Sequence, residues 1–238
     1  MLRSLTSASP TDILTLEPSL AALTAPNDLI IVGTGGHGHE IAWVASEATI
    51  EWRLIGFLDD QVSNHGQVIM GARVLGALTD WTHYSNAAFI IAIGSPRIRR
   101  DVVRRMQTLG RPRFATIIHR SVIHSPQVHF DEGSMIMPGS VLSTDIRVGR
   151  HTIINQSSTV GHDATVEDFC TLAPSVTLSG NVTLCEGAEI GTGSSVKQGV
   201  RIGRGAMIGM GSVVTKDVGD HELALGVPAR FTRTLEPF

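Results

Sequence analysis

The sequence predicts a protein of two parts, an α/β domain followed by an all-β domain of stacked parallel strands. The α/β domain is indicated by a glycine-rich turn, Gly33 to Gly38, that lies between an apolar run and a helical pattern. The all-β domain is indicated by a six-residue period that continues from Ile118 to Val218. We therefore expect domains at residues 28–115 and 116–238, preceded by an N-terminal arm at 1–27.

The six-residue period defines the second domain. Of the seventeen residues at every sixth position from Ile118 to Val214, fifteen are aliphatic and none carries a full charge. The residue four places after each of them is small or modestly apolar. A short period held over about a hundred residues is typical of a solenoid in which each repeat adds one strand and one turn. We expect three repeats to close one triangular coil, with between five and six coils in all.

The first domain begins with a strand, a glycine-rich turn and a helix. The apolar run Leu29–Val32 is typical of a strand covered on both faces. It leads directly into the Gly33–Gly38 turn, whose G-x-G-x-x-G pattern lets the backbone approach a phosphate at the start of a helix. A second strand, residues 53–58, ends in Asp59 and Asp60, where a carboxylate can accept hydrogen bonds from a ribose or a base.

The rest of the first domain adds a hairpin, a strand and a helix. Residues 68–75 predict a strand or hairpin, and the apolar run at 88–93 predicts a buried strand ending in Gly94-Ser95-Pro96. The helix that follows carries Ile98, Val102, Met106 and Leu109 at apolar spacing, and its arginines 97, 99, 100, 104 and 105 are expected on its solvated face. About 85 residues are too few for both halves of a dinucleotide fold, which favours one mononucleotide-sized ligand.

Composition excludes several classes of function. A net charge of −3 gives no electrostatic case for binding nucleic acid or an anionic membrane. No apolar run approaches the ~18 residues of a membrane span, and residues 1–27 make a poor signal peptide. Only two cysteines occur, so we expect no disulfide framework and a reducing, cytoplasmic location. Cys170 falls on an inward position of its repeat, and Cys185 on an outward one.

Histidines are the main candidates for chemistry. His162 takes the third position of its repeat, which points outward, and Asp163 follows it. From the residues alone, His162 is either an ordinary surface histidine or a general base oriented by its neighbour. His119, His124 and His129 recur every five residues, but a step of five in a period of six changes the direction of each side chain. We therefore expect no metal site there.

These residues together resemble the bacterial sugar acetyltransferases typified by PglD and NeuD. The resemblance rests on the Gly33–Gly38 turn, the stretches at 56–60 and 92–95, and the unbroken repeats, and it covers roughly Leu29 to Arg233. It implies a Rossmann-like domain that holds a nucleotide-linked amino sugar, joined to a left-handed parallel β-helix. It also implies a homotrimer, with acetyl-CoA as cosubstrate in the clefts between neighbouring β-helices.

The resemblance assigns roles to individual residues. His162 would take the proton from the sugar amine, Asp163 would orient the imidazole, and the N–H of Gly180 would face the thioester. The acetyl-CoA site would comprise Asn155, Gly180, Gly191, Thr192, Gly209 and Met210. The nucleotide-sugar site would comprise Gly33, Gly35, Gly36, His37, Gly38, Asp59, Asp60, Gly94 and Ser95. This chain departs from the family at Thr171, where some members carry a second histidine that contacts acetyl-CoA.

The expected function is N-acetylation of a nucleotide-activated amino-deoxysugar, at the 4-amino group, in surface glycan biosynthesis. Three alternatives remain open on the sequence. They are O-acetylation of a sialic-acid-like sugar, a non-catalytic β-helix that only binds a ligand, and a zinc hydratase built on the same repeats.

Overall fold

The computed structural model describes Ala25 and residues 27–238. The expected N-terminal arm, residues 1–27, lies outside the described residues apart from Ala25 and Asn27. No helix in the described part of the chain is long and apolar enough to cross a membrane.

The first domain is a six-stranded sheet with a helix on each face. Its elements are β1 (Asp28–Val32), α1 (Gly36–Ser46), β2 (Arg53–Leu58), β3 (Val68–Ile69), β4 (Ala72–Gly76), β5 (Ala88–Ile91), α2 (Pro96–Leu109) and β6 (Arg113–Phe114). The strand order is β3-β4-β2-β1-β5-β6, parallel except for the β3–β4 hairpin. Helix α1 packs on the face of β1 that carries Leu29 and Ile31, and α2 packs on the face that carries Ile30 and Val32. The α/β prediction is confirmed.

The repeats form the expected left-handed parallel β-helix with three faces. Face 1 contains β7 (Ile117–Ile118), β10 (Met135–Ile136), β13 (Ile153–Ile154), β16 (Thr171–Leu172), β19 (Glu189–Ile190) and β22 (Met207–Ile208). Face 2 contains β8 (Ile123–His124), β11 (Val141–Leu142), β14 (Thr159–Val160), β17 (Thr177–Leu178), β20 (Ser195–Val196) and β23 (Val213–Val214). Face 3 contains β9 (Val128–Phe130), β12 (Ile146–Val148), β15 (Thr165–Val166), β18 (Thr183–Leu184) and β21 (Arg201–Ile202).

A final hairpin extends face 1. Strand β24 (Glu222–Gly226) pairs in parallel with β22, and β25 (Ala229–Thr234) pairs antiparallel with β24. Inside the coils, the aliphatic residues of the six-residue period are buried from Ile136 to Val214 and form one continuous core. Since burying an aliphatic side chain contributes ~1.5–3 kcal/mol before entropy, this core dominates the stability of the β-helix.

The structure corrects the expected positions of five side chains, Cys185 and, on α2, Arg99, Arg100, Ile98 and Leu109; only 13% of the Arg100 side chain is exposed. Cys185 is not outward but buried, at 4% exposure. Arg99 is not on the solvated face of α2 but fully buried, at 0% exposure. Helix α2 buries Arg99 together with Val102, Val103 and Met106, whereas Ile98 and Leu109, which we expected on that face, are exposed.

Arg99 joins the two domains. Its guanidinium reaches from α2 to the turns of the β-helix, and backbone carbonyl groups from both domains accept its N–H groups. Burial lowers the pKa of Arg99 to about 9, so the side chain is a cation at neutral pH. The acceptors are the carbonyl oxygens of Ile93 (2.6 Å), Gly94 (2.8 Å), His151 (2.7 Å), Phe169 (2.8 Å) and Cys170 (3.1 Å), with Oγ1 of Thr171 (2.9 Å).

Replacing Arg99 with Leu should loosen this junction. The substitution keeps an apolar stem but leaves several buried carbonyl groups without a donor, each at a cost of about 1–3 kcal/mol. Three such groups at the lower value give about 3 kcal/mol, so we expect the melting temperature to fall by at least roughly 6–12 °C, since about 1 kcal/mol corresponds to 2–4 °C in a chain of this size. Arg104→Leu is the matched control because Arg104 lies on the exposed side of α2. Equal melting curves for the two variants in differential scanning calorimetry would contradict this role.

His151 lies next to this junction. It is buried, and one of its ring nitrogens has no hydrogen-bond partner. It is 2% exposed, stacks on Phe169 at a ring distance of 5.1 Å, and meets the edge of Phe114 at 4.5 Å. Its Nδ1 has no hydrogen-bond partner. Burial, and then the charge of Arg99, lower the pKa of His151 to about 3. The folded protein therefore holds a neutral imidazole here.

His151 should make the protein less stable in mild acid. The folded-state pKa of about 3 lies below the unfolded value of about 6.5, so only the unfolded chain takes up a proton between these values. The stability that depends on neutral His151 should be fully present above about pH 6.5. Below that pH the free energy of unfolding should fall by up to about 1.4 kcal/mol per pH unit.

The effect of His151 can be isolated by urea titration at pH 7.5 and pH 5. His151→Asn tolerates the left-handed backbone at this position (φ 55) and should show a smaller loss of stability between the two pH values than the wild type. His83→Asn, at an exposed histidine, should keep the wild-type difference. An unchanged difference in His151→Asn would refute the assignment.

Candidate active site

The strongest catalytic candidate is the pair His162 and Asp163, in the turn that connects β14 to β15. His162 is about half exposed, with 51% of its side chain accessible, and its Nδ1 lies 2.6 Å from Oδ2 of Asp163. If Nδ1 carries the proton and donates it to Asp163, the lone pair of Nε2 faces outward. A neutral imidazole held in this way can act as a general base. The outward position expected for His162 is confirmed.

Gly180 lies directly beside this imidazole, one coil further along the β-helix. A Cβ at Gly180 would be 2.6 Å from both Cε1 and Nε2 of His162, so a side chain there would displace the ring. Gly161 is also constrained, because its Cβ would lie 2.6 Å from the backbone nitrogen of Gly180. The N–H of Gly180 donates to no other group in the described part of the chain. It is therefore available to an oxygen that approaches His162.

The other expected acetyl-CoA residues lie on a different edge of the β-helix. Asn155 is in the turn from face 1 to face 2, and Gly191, Thr192, Gly209 and Met210 occupy the same turn in later coils. The Asn155 amide donates to the carbonyl of Leu172 at 2.8 Å, and Met210 is 77% exposed. One chain thus brings His162, Asp163 and Gly180 together, but places face 2 between them and this second edge.

Thr171 has a structural role. It is 6% exposed, its Oγ1 donates to the carbonyl of Gly94 at 3.0 Å, and it accepts a hydrogen bond from Arg99. Thr171, the residue that replaces the second histidine of some sugar acetyltransferases, therefore connects the two domains. Sequence patterns did not single out Arg99 or Thr171 for this role. The signal that was available is that Arg99 lies three, four and seven residues before Val102, Val103 and Met106, which is the spacing of a buried helical stripe.

The glycine-rich turn lies at the carboxyl ends of the parallel strands, where α/β sheets bind their ligands. Gly33 follows β1 with φ 105, and Gly38 allows α1 to approach it closely, since a Cβ at Gly38 would be 2.2 Å from the Gly33 carbonyl oxygen. The space beside Gly35, Gly36 and Gly94 is open. A cavity of about 230 Å³ lies at this edge and is lined by Val32, Gly33, Leu58, Asp59, Asp60, Leu78, Ile93, Ile98, Val102 and Arg105.

The two carboxylates at this cavity already make contacts within the domain. Oδ2 of Asp59 accepts hydrogen bonds from the backbone N–H (2.9 Å) and the hydroxyl (2.6 Å) of Thr34. Burial raises the pKa of Asp59, but these hydrogen bonds and that from the Gln61 N–H outweigh it and leave the pKa below its ordinary value. Asp60 accepts from the Leu78 N–H and pairs with Arg105 at 2.8 Å. Both groups are therefore fixed, ionised acceptors.

His37 is oriented within the turn by Glu40. Its Nδ1 lies 3.2 Å from Oε2 of Glu40, its side chain is 18% exposed, and its Nε2 is buried without a partner. Burial lowers the pKa of His37, against the opposing effect of Glu40. A neutral His37 that donates from Nδ1 offers Nε2 as an acceptor. Ser95 is the residue before α2, and its side chain makes no capping hydrogen bond.

His119, His124 and His129 do not converge. Among residues 27–238 no group of three His, Cys, Asp or Glu side chains is arranged to hold a metal ion. Oγ of Ser121 lies 2.8 Å from Nδ1 of His119, and His124 packs against the edge of Phe130.

Comparison with known proteins places these features in a family. Residues 28–106 match the family model described as the PglD N-terminal domain. UDP-N-acetylbacillosamine N-acetyltransferase of Bacillus subtilis (strain 168) is 35% identical over 112 residues, which are 46% of this chain and 51% of that protein. The match thus spans about half the length of this curated relative.

Two solved structures resemble nearly the whole described chain. PerB from Caulobacter crescentus, in complex with CoA and GDP-perosamine, is 30% identical with a TM-score of 0.79, covering 87% of this chain and 97% of that one. The acetyltransferase domain of PglB from Neisseria gonorrhoeae, in complex with acetyl coenzyme A, is 31% identical with a TM-score of 0.80, covering 87% and 99%. The chain therefore belongs to the PglD-type sugar acetyltransferases.

Proposed function

We propose that this protein transfers an acetyl group from acetyl-CoA to the 4-amino group of a nucleotide-linked amino-deoxysugar, for surface glycan biosynthesis in the cytoplasm. The observation that carries the proposal is the His162–Asp163 pair with Gly180 beside its imidazole. The related PerB structure holds CoA and GDP-perosamine, and this supports an amino sugar as the acceptor.

In this mechanism His162 is the general base. Asp163 accepts the hydrogen bond from Nδ1, so the lone pair of Nε2 takes a proton from the sugar amine while the amine nitrogen attacks the thioester carbonyl. The N–H of Gly180 donates to the oxygen as negative charge develops on it. Collapse of the tetrahedral intermediate breaks the carbon–sulfur bond and forms the amide, and the departing thiolate of CoA takes the proton held on Nε2 of His162.

The cysteines favour direct transfer over an acyl-enzyme. Cys170 and Cys185 are both buried, and burial raises the pKa of each thiol above its ordinary value. A covalent route needs an accessible thiolate beside a base. Neither cysteine meets that requirement.

The two domains divide the substrates between them. We assign residues 28–115 to the nucleotide sugar, with the glycine-rich turn and His37 toward the diphosphate and the fixed carboxylates of Asp59 and Asp60 toward the nucleoside. Helix start and backbone N–H groups suit a phosphate, and carboxylates suit the donors of a ribose or base. Residues 116–238 hold acetyl-CoA along the β-helix.

A homotrimer completes the site. The outward side chains of the face 2 strands β8, β11, β14, β17, β20 and β23 are uncharged and exposed; they are Ile123, Val141, Thr159, Thr177, Ser195 and Val213. This face separates the His162 edge from the Asn155 edge within one chain. A neighbouring copy would bring its Asn155 edge, with Gly191 and Gly209, to His162 and form the cleft for acetyl-CoA.

Acceptor specificity is measured by release of free CoA thiol. We expect turnover with one or more of the UDP-, dTDP- and GDP-linked 4-amino-deoxysugars, and none with free sialic acid. Turnover of sialic acid alone would favour the O-acetyltransferase alternative. No turnover with any acceptor would favour a non-catalytic binding protein and contradict the proposal.

The role of His162 is tested by His162→Ala. Loss of the base should lower kcat by ~10²–10⁴ while KM for acetyl-CoA and the oligomer are kept. His129→Ala, at an exposed histidine of face 3, is the control and should retain wild-type activity. An unchanged kcat in His162→Ala would remove His162 from the mechanism.

The trimer is tested by Thr177→Arg in the middle of face 2. Three buried arginines without partners should prevent assembly, because an unpaired charge in an interface is costly. Light scattering should then show single chains of 25.4 kDa, with loss of activity. Thr183→Arg, on face 3, should assemble normally. A trimeric, active Thr177→Arg would refute face 2 as the interface.

A further inference from the structure

Glu189 is a partly buried carboxylate without a partner at the junction of the two domains. It projects from β19 on face 1, and in the described part of the chain no hydrogen bond or ion pair engages its side chain. Buried and half-buried carboxylates are nearly always paired or hydrogen-bonded. An unpaired one at a domain junction therefore requires an explanation.

Strand pairing fixes where Glu189 lies. It is opposite Thr171 on the preceding coil and Met207 on the following one. Neighbouring parallel strands are about 4.8 Å apart, and the hydroxyl of Thr171 donates to the Gly94 carbonyl at 3.0 Å. Glu189 is thus one strand away from the point at which Gly94, in the loop between β5 and α2, contacts the β-helix. A Cβ at Gly94 would find no atom within 4 Å, so the space beside this loop is open.

Two arginines lie near Glu189, and both are occupied by other groups. Arg99 donates to backbone carbonyls and to Thr171, as described above. The guanidinium of Arg97 donates to the carbonyls of Glu236 and Pro237 and lies 5.5 Å from the ring centre of Phe238. Burial raises the pKa of Glu189 above its ordinary value, and the positive charges of Arg99 and Arg97 oppose that rise in part. They influence Glu189 through space without pairing with it.

The C-terminal segment is what keeps Arg97 in place. The ring of Phe238 is 9% exposed and also lies 4.3 Å from the guanidinium of Arg100. It fills the space that Gly187 and Gly205 leave open, since a Cβ at either glycine would come within 2.5 Å of Phe238. Arg97 is thereby held to residues 236–238, and Glu189 remains available to a ligand.

We infer that Glu189 recognises the sugar of the nucleotide-linked acceptor, by accepting hydrogen bonds from its O–H and N–H groups. The inference rests on the proposed function and extends it to a residue of face 1. A sugar ring offers several donors and no negative charge, whereas the diphosphate of the same ligand would be repelled by a carboxylate. Glu189 therefore faces the sugar end of the ligand, with the diphosphate toward the glycine-rich turn.

The experiment compares ligands with and without the sugar. Glu189→Gln keeps the size of the side chain and removes its charge. We expect GDP-perosamine and a UDP-linked 4-amino-4,6-dideoxy sugar to bind the variant about tenfold to a hundredfold more weakly than the wild type, the loss typical of a hydrogen bond to a charged group. GDP and UDP, which lack the sugar, should bind as tightly as before or more tightly. Isothermal titration calorimetry measures all four affinities.

Glu186→Gln is the matched control, because Glu186 lies on the same coil but pairs with Arg204 at 3.0 Å. It should leave all four affinities unchanged. If Glu189→Gln binds sugar-linked and sugar-free nucleotides equally more weakly, or binds both as the wild type does, the inference about Glu189 is wrong. The proposed function would still stand, provided that the wild type turns over its acceptor. Failure of the wild type to bind or acetylate any nucleotide sugar would overturn the proposed function, and this inference with it.

Discussion

The contacts of Arg99 hold together the two parts on which the site depends. A single guanidinium, fully buried, orders the Gly94 loop at one end of the sheet and the turns at His151 and Phe169 on the β-helix. Because its acceptors are backbone carbonyls, the cation needs no buried carboxylate as a counterion. That leaves Glu189, the nearest acid on face 1, uncommitted. The geometry between the two domains thus depends on how one positive charge is solvated.

The β-helix contributes rigidity and spacing. Each coil repeats every 18 residues, so His162 and Gly180 are held next to each other by the same backbone hydrogen bonds that close the coils, such as that from the Asn181 N–H to the His162 carbonyl at 2.8 Å. The imidazole of His162 therefore lies beside Gly180 without any conformational change. The same regularity keeps the Asn155 edge at a fixed separation from His162, which is why the proposed site takes this edge from a second chain.

Much of the fold could be predicted from the sequence because it is periodic. The six-residue repeat identifies the inward side chains without any knowledge of long-range contacts, and the outward position of His162 follows from the same count. Arg99 and Cys185 could not be placed in this way. A charged residue in phase with Val102 and Met106 looks like a solvated residue until the second domain supplies carbonyls to receive it. The burial of Cys185 likewise depends on its neighbours on adjacent coils, among them Glu167 and Arg201, and not on its position in the repeat.

The backbone conformation at position 163 restricts which acidic residue can lie beside His162. Its φ of 58° lies in the left-handed region, one of a series of such residues that recurs at the turns of the β-helix. Aspartate and asparagine tolerate this region better than longer side chains, and one methylene suffices to reach Nδ1 of His162. An amide at 163 would change the charge beside the imidazole and leave the turn intact. In this turn of the β-helix, the charge beside His162 can therefore be changed without changing the shape of the loop that carries it.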